Sequence, residues 1–139
     1  MYVLDTNVVS ELRKAGAGRA DKNLVAWASK VVTGTLYISA ISLLELELGI
    51  LSIERRDPPQ AAILRVWMHN QVLPAFDGRV LPVDAAVAFQ CAQLHVPNRR
   101  SERDAMIAAT AIVHGMTVVT RNVADFQETG VALFNPWGM

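Results

Sequence analysis

The fold is decided by YVLDTNVVSEL (residues 2–12), in which a short apolar β-type run leads into Asp5 and then into a segment of helical spacing. Gly16 and Gly18 end that helical pattern. Asp5 therefore stands at the carboxyl end of a predicted strand. Open α/β sheets place their ligands at this edge.

The same order of strand and helix continues along the chain. Further strands are predicted at 35–39, 79–81, 116–120 and 131–134. Helices are predicted at 21–31, from 42 onward, and at 58–72, 84–95 and 102–114. Strands that alternate with helices predict an α/β fold with a mostly parallel sheet covered on both faces. A length of 139 residues with 52% hydrophobic content predicts one domain, residues 1–139.

Composition limits the class of protein. A net charge of zero argues against binding nucleic acid chiefly by bulk electrostatics. The single Cys91 excludes an intramolecular disulfide, and its apolar neighbours predict a buried thiol. Asp5 and Glu11 interrupt any signal-peptide core, and no apolar run reaches the roughly 18 residues of a membrane span. We expect a cytoplasmic protein without membrane contact.

Three acidic residues fall near predicted strand ends or helix starts, and each has a structural explanation. Asp5 can cap the helix that follows it. Glu45 completes a capping-box pattern with Ser42. Asp104 lies in the first turn of a predicted buried helix, where the helix dipole favours an acid. A fourth polar region, TRNVADF, follows the 116–120 strand and contains Thr120, Asn122 and Asp125.

Considered together, these positions predict a cation site. Carboxylates that converge raise each other's pKa unless a cation compensates them. Magnesium prefers a few oxygen ligands and retains water. A metal held in this way can activate water for in-line attack on a phosphate. The pattern therefore indicates phosphodiester hydrolysis.

Five segments carry a resemblance to a known family. The chain resembles a PIN-domain ribonuclease of the VapC type, in the FitB-like branch of toxin–antitoxin toxins. The matching segments are YVLDTNVVSEL at 2–12, ISLLELELGI at 41–50, RDAMIAATAIVHG at 103–115, VVTRNVADF at 118–126 and FNPWG at 134–138.

The resemblance implies a three-layer α/β/α sandwich and an endoribonuclease that depends on Mg²⁺ or Mn²⁺. Its products would end in 5′-phosphate and 3′-hydroxyl. It further implies a homodimer and a hetero-oligomer with a cognate antitoxin, whose DNA-binding domain alone contacts operator DNA.

The resemblance also assigns site residues. Asp5 and Asp104 would be metal ligands and Glu45 would complete the acidic site, supported by Thr6, Asn7 and Thr120. The family commonly has an acid at or near position 122, where this chain has Asn122. Its amide oxygen can coordinate without adding charge, and Asp125 is the alternative fourth ligand and catalytic acid. Possible contacts to RNA phosphates are Arg13, Arg99, Arg100 and Arg103.

Two alternatives remain open. A non-catalytic interaction module could have the same fold, because a fold does not determine function. A phosphoacceptor or receiver-like domain also has acids at the strand ends of a parallel sheet. Such a domain needs a lysine late in the chain, whereas the last lysine here is Lys30.

Overall fold

The computed structural model describes residues 1–138, which form one five-stranded parallel sheet. The strands are β1 (Tyr2–Leu4), β2 (Leu36–Ser39), β3 (Val80–Leu81), β4 (Thr117–Val119) and β5 (Leu133–Phe134). Their order across the sheet is β3-β2-β1-β4-β5, and every pairing is parallel. All carboxyl ends therefore meet at one edge, with β1 in the centre.

Helices connect the strands. They are α1 (Thr6–Arg13), α2 (Lys22–Lys30), α3 (Ala40–Glu54), α4 (Pro58–Trp67), α5 (Leu73–Ala75), α6 (Ala85–Leu94) and α7 (Glu102–His114). A π-helical segment, Met68–Val72, joins α4 to α5, so the helical path predicted at 58–72 continues to Ala75. Helix α7 has the predicted bounds, and Gly115 ends it with a φ of +65°.

The two faces of the sheet bury separate apolar layers. Neighbouring residues of a strand point to opposite faces. Leu4 accordingly belongs to a core layer with Val8 and Leu24, which lie on α1 and α2. Val3 belongs to the other layer, with Ile107 of α7 and Phe126. Helices thus cover both faces, which confirms the predicted α/β/α sandwich.

The surroundings of Cys91 differ from the prediction of a buried thiol. Cys91 is only half-buried, with its sulfur 3.9 Å from His95 Nε2. Helix α6 lies at the surface, where Val87 is its buried residue and Phe89 is 75% exposed. Helix α6 is therefore buried on one side only, although most of its residues are apolar, and this is why the thiol of Cys91 is not fully buried. Within residues 1–138, no helix has the length and apolar character needed to cross a membrane.

Candidate active site

A cleft of about 460 Å³ lies at the carboxyl edge of the central strands. Its lining includes three carboxylates that are distant in sequence, and we call them the acidic cluster: Asp5, Glu45 and Asp104. The same cleft is lined by a second set of side chains, which we call the cation–aromatic cluster: Lys14, Arg121 and Trp137. The structure thus brings together the three acids that the sequence analysis selected.

Asp5 is the most buried acid of the cleft, with 6% of its surface exposed. Its Oδ1 accepts the backbone N–H of Thr6 at 2.8 Å, so the side chain also caps α1. Its Oδ2 accepts the buried Thr120 hydroxyl at 2.8 Å and the Asn7 amide at 3.2 Å. The capping role and a place in the cleft therefore coexist.

The surroundings of Asp5 favour its protonated form. Burial raises the pKa of the Asp5 carboxyl to about 6, against the opposing effect of the hydrogen bonds from Thr120 and Thr6. The charges of Asp104 and Glu45 raise it further. Ionisation of Asp5 is therefore costly in this cleft, and a bound cation would offset that cost.

Glu45 does not form the predicted capping box. Helix α3 begins at Ala40, one residue after β2 ends, and Ser39 caps it by accepting the Ile41 N–H at 3.0 Å. Glu45 consequently lies in the second turn, with its side chain free of any capping role. Its Oε1 accepts the Thr6 hydroxyl at 2.6 Å.

Asp104 lies in the first turn of α7, as predicted, and Ser101 caps that helix. Burial raises the pKa of the Asp104 carboxyl, and the charges of Asp125 and Glu45 add to the effect. The charge of Glu45 thus acts on both Asp5 and Asp104, and the charge of Asp104 acts on Asp5.

The two candidates for a fourth ligand occupy different places. Asn122 lines the cleft, and its backbone N–H donates to the Thr120 hydroxyl at 2.9 Å. Asp125 is exposed in a short 3₁₀ turn and is absent from the lining, although its charge raises the pKa of Asp104. Asn122 therefore shares the cleft with the acidic cluster, whereas Asp125 affects the cluster through its charge.

Two of the four predicted phosphate-binding arginines lie beside the acidic cluster. The Arg103 guanidinium is 3.7 Å from Glu45 Oε2. Arg13 stacks over Trp67, 6.0 Å from the ring centroid. It lines a neighbouring depression of about 230 Å³ that also contains Glu45.

The other two arginines make local contacts away from the cleft. Arg99 pairs with Glu102 at 3.2 Å in an exposed ion pair. Arg100 donates through Nε to the Leu94 carbonyl at 2.6 Å and so ties the loop before α7 to the end of α6. Neither side chain lines the cleft.

The sequence analysis did not select Lys14, Arg121 or Trp137. Lys14 and Arg121 resemble ordinary surface cations in sequence, and such groups are mostly solvated. Arg121 does follow Thr120 directly, and Trp137 lies in the terminal FNPWG segment. Those positions were the available signal, but only the fold shows that both residues reach the cleft.

The residues of the cleft fit a divalent cation in their chemistry. All candidate donors are hard oxygens, and Asn7 contributes a buried Oδ1 that has no hydrogen-bond partner. As the side chains stand, residues 1–138 contain no group of three acidic, histidine or cysteine side chains arranged to hold a metal ion. Magnesium usually takes one or two protein carboxylates and keeps several waters. Two acids of the cluster are therefore sufficient.

Comparison with known proteins agrees with this architecture. Residues 2–131 match the family described as PIN domain. The chain is 39% identical to VapC ribonuclease Y4jK of Sinorhizobium fredii, over 99% of this chain and 98% of that protein. It is 35% identical to Toxin FitB of Neisseria gonorrhoeae, over 99% of each. It also superposes on a chain of FitAB bound to an IR36 DNA fragment with a TM-score of 0.89 and 35% identity, covering 100% of this chain and 97% of that one.

Proposed function

Because the chain belongs to the PIN domain family, we propose that it is the ribonuclease toxin of a toxin–antitoxin pair. The observation that carries the proposal is the convergence of Asp5, Glu45 and Asp104 in one cleft, where burial raises the pKa of Asp5 and the charges of Asp104 and Glu45 raise it further. Relatives named as a VapC ribonuclease and as a toxin match nearly all of the chain.

Asp5 and Asp104 would hold Mg²⁺ or Mn²⁺, together with Glu45 and with either Asn122 or Asp125. When bound, such an ion polarises the phosphate and makes water more acidic. Thr120 and Asn7 keep the Asp5 carboxylate in one orientation by donating to its Oδ2. The hydroxyl of Thr6 positions Glu45 in the same way.

The proposed reaction is hydrolysis of an RNA phosphodiester. Water attacks phosphorus, the bond from phosphorus to O3′ breaks, and a proton passes to the departing O3′. The products then carry 5′-phosphate and 3′-hydroxyl ends. Asp5, Glu45, Asp104 and Asp125 are the proposed catalytic carboxylates, since a carboxylate near the reacting atoms can act as a general base and accept the proton of the water.

The proposed partners follow from the similar structure of FitAB bound to an IR36 DNA fragment. We expect a cognate antitoxin that occupies the cleft and contacts operator DNA on behalf of the complex. The toxin would form a homodimer within that hetero-oligomer. A cytoplasmic location is part of the same proposal.

The proposal is tested with protein that has been separated from its antitoxin. The protein should cleave total cellular RNA in Mg²⁺ or Mn²⁺ and lose all cleavage in EDTA. Ligation-based sequencing of the released 5′-phosphate ends would identify the sites. Cleavage that persists in EDTA would exclude the metal mechanism. A folded protein that binds RNA without cutting it under any divalent ion would instead be a non-catalytic module.

A further inference from the structure

The cation–aromatic cluster has a geometry that the proposed catalytic chemistry does not use. We infer that Lys14, Arg121 and Trp137 form a nucleotide subsite, which binds one unpaired nucleotide of the RNA next to the phosphate that is cut. This inference rests on the proposed function, and it concerns how the substrate is held in the cleft.

Lys14 is positioned by a short chain of contacts. Its ammonium lies 3.2 Å from Glu11 Oε1. The other carboxylate oxygen of Glu11 accepts the backbone N–H of Asp21 at 2.9 Å, just before α2 begins. These two contacts lower the pKa of Glu11, with the Asp21 hydrogen bond the larger cause. Glu11 is thus a fixed, ionised anchor that keeps the cation of Lys14 at the cleft.

Arg121 and Trp137 form a stacking surface. The Arg121 guanidinium lies 5.9 Å from the Trp137 ring centroid, near the outer limit of a cation–π contact. The Trp137 backbone is fixed on both sides, since its N–H donates to Asn135 Oδ1 at 2.9 Å and its carbonyl accepts the Asn23 amide at 3.2 Å. Its ring packs against the core while part of it lines the cleft. The ring is therefore held rigid, whereas the guanidinium is exposed and able to move.

This combination suits an unpaired nucleotide. Proteins hold single-stranded RNA by stacking bases on aromatic rings or guanidinium planes and by pairing cations with the phosphates. A base in a duplex has no free face to offer. The acids of the cleft repel a polyanion, so cations in the same cleft are needed to hold RNA close to them. The subsite therefore selects single-stranded RNA.

The decisive measurement is RNA binding by protein that cannot cut it. The Asp104→Asn variant serves as the parent protein, and the probe is a short, unstructured, fluorescein-labelled RNA followed by anisotropy. Affinity for single-stranded nucleic acid falls as salt rises. Removal of one phosphate contact makes the plot of log affinity against log salt less steep, by about 0.7 in slope. Arg121→Ala and Lys14→Ala should each show that loss. Arg56→Ala, which removes an exposed arginine in the turn that follows α3, should leave the slope unchanged.

Stacking is tested by pairing a protein variant with a modified probe. Trp137→Leu should weaken binding roughly 5- to 150-fold, the range for one stacked base, whereas Trp137→Phe should retain most of the affinity. An abasic site scanned through the RNA should weaken binding to the parent at one position. The same abasic site should cost nothing further in Trp137→Leu. A loss of core packing would lower affinity without this coupling to one base, and thermal unfolding would detect it.

The outcomes separate this inference from the proposed function. One outcome is that the wild-type protein cleaves RNA while the variants keep the salt slope of the Asp104→Asn parent and its response to the abasic probe. That result would refute the subsite and leave the proposed ribonuclease function intact. Variants that bind RNA normally but no longer copurify with the antitoxin would assign the cluster to that protein partner and also overturn the inference. If no RNA is cleaved by wild-type protein, the proposed function fails first.

Discussion

The acidic cluster and the cation–aromatic cluster line the same cleft but are built in different ways. Asp5 and Asp104 lie at the starts of α1 and α7, and Glu45 lies in the second turn of α3. Asp5 accepts a hydrogen bond from Thr120, which is completely buried, and Glu45 accepts one from Thr6. Lys14 and Arg121 are exposed, and each reaches the cleft at the end of a long side chain. Only Trp137 of that set packs into the core.

The difference shows how one cleft can be both rigid and adaptable. The acids are held close together although their charges repel, which costs stability that the surrounding fold supplies. Lys14 and Arg121 are exposed and bear no comparable burial penalty, and the Arg121 guanidinium can follow a flexible ligand. Precise chemistry therefore belongs to the acidic cluster and capture of the substrate to the other.

The largest effect should come from the loss of one acid. Asp104→Asn removes a charge from the acidic cluster at a half-buried position in the first turn of α7 and keeps the size of the side chain, so the fold should persist. We expect RNA cleavage to fall by at least about 100-fold, the scale of one lost electrostatic contact at a reaction centre. Initial rates in Mn²⁺ measure the loss, and circular dichroism checks the fold. Glu102→Gln, in the same helical turn but paired with Arg99, is the matched control. Full activity of Asp104→Asn would refute the assignment.

The cost of burying the Asp5 carboxylate beside two other acids should be visible in stability. Because the pKa of Asp5 rises from 3.8 to about 6 on folding, the folded chain holds a proton that the unfolded chain loses between those values. Stability should therefore fall as pH rises through this window. Asp5→Asn imitates the protonated form, and a flipped Asn7 amide could then pair its free Oδ1.

Above pH 6 in EDTA, the free energy of unfolding of Asp5→Asn should exceed that of wild type by roughly 2 to 3 kcal/mol. This gain in stability should shrink below pH 4. Urea titrations at several pH values measure it. Added Mg²⁺ should stabilise wild type but not the variant. The exposed Asp77→Asn is the control. A gain independent of pH would show that packing, and not titration of Asp5, is responsible.

A smaller effect should identify the fourth ligand. Asp125→Asn should weaken Mn²⁺ binding by about 10-fold or more if Asp125 replaces the acid that the family has near position 122, since even the loss of a residue that only supports a metal ligand has an effect of that size. Titration calorimetry measures the affinity. Unchanged binding in Asp125→Asn, combined with weaker binding in Asn122→Ala, would assign the place to Asn122, which lines the cleft.

The smallest effect concerns Arg103. Its pair with Glu45 is half-exposed, so Arg103→Gln should change cleavage by no more than about fivefold, the range for exposed ion pairs. The salt dependence of RNA binding distinguishes its two roles. If the slope for Arg103→Gln equals that for the control Arg56→Gln, Arg103 serves only its pair with Glu45. If the slope for Arg103→Gln is less steep by about 0.7, Arg103 contacts an RNA phosphate.

The sequence predicted those features of the site that depend on local structure. Asp5 follows an apolar strand and Asp104 starts a buried helix, so periodicity and capping rules locate both at the sheet edge. Glu45 was selected although its capping-box explanation was wrong. The rule failed there because Ser39, at the end of β2, caps α3 before Ser42 can do so. A serine three residues before a glutamate does not reveal which serine begins the helix.

The order of strands and helices and the two-sided burial of the sheet could be read from the sequence, because they follow from periodic patterns along the chain. The resemblance to the family came from five motif segments in the same sequence. Only the tertiary structure decided which polar residues share the cleft. Thr120 bonds to Asp5 across 115 residues, and Trp137 joins Lys14 in the cleft. Such contacts depend on the strand order and on the paths of the connecting loops. The sequence around a polar side chain does not reveal a partner that is distant in the chain, because hydrogen bonds and ion pairs depend on distance in space.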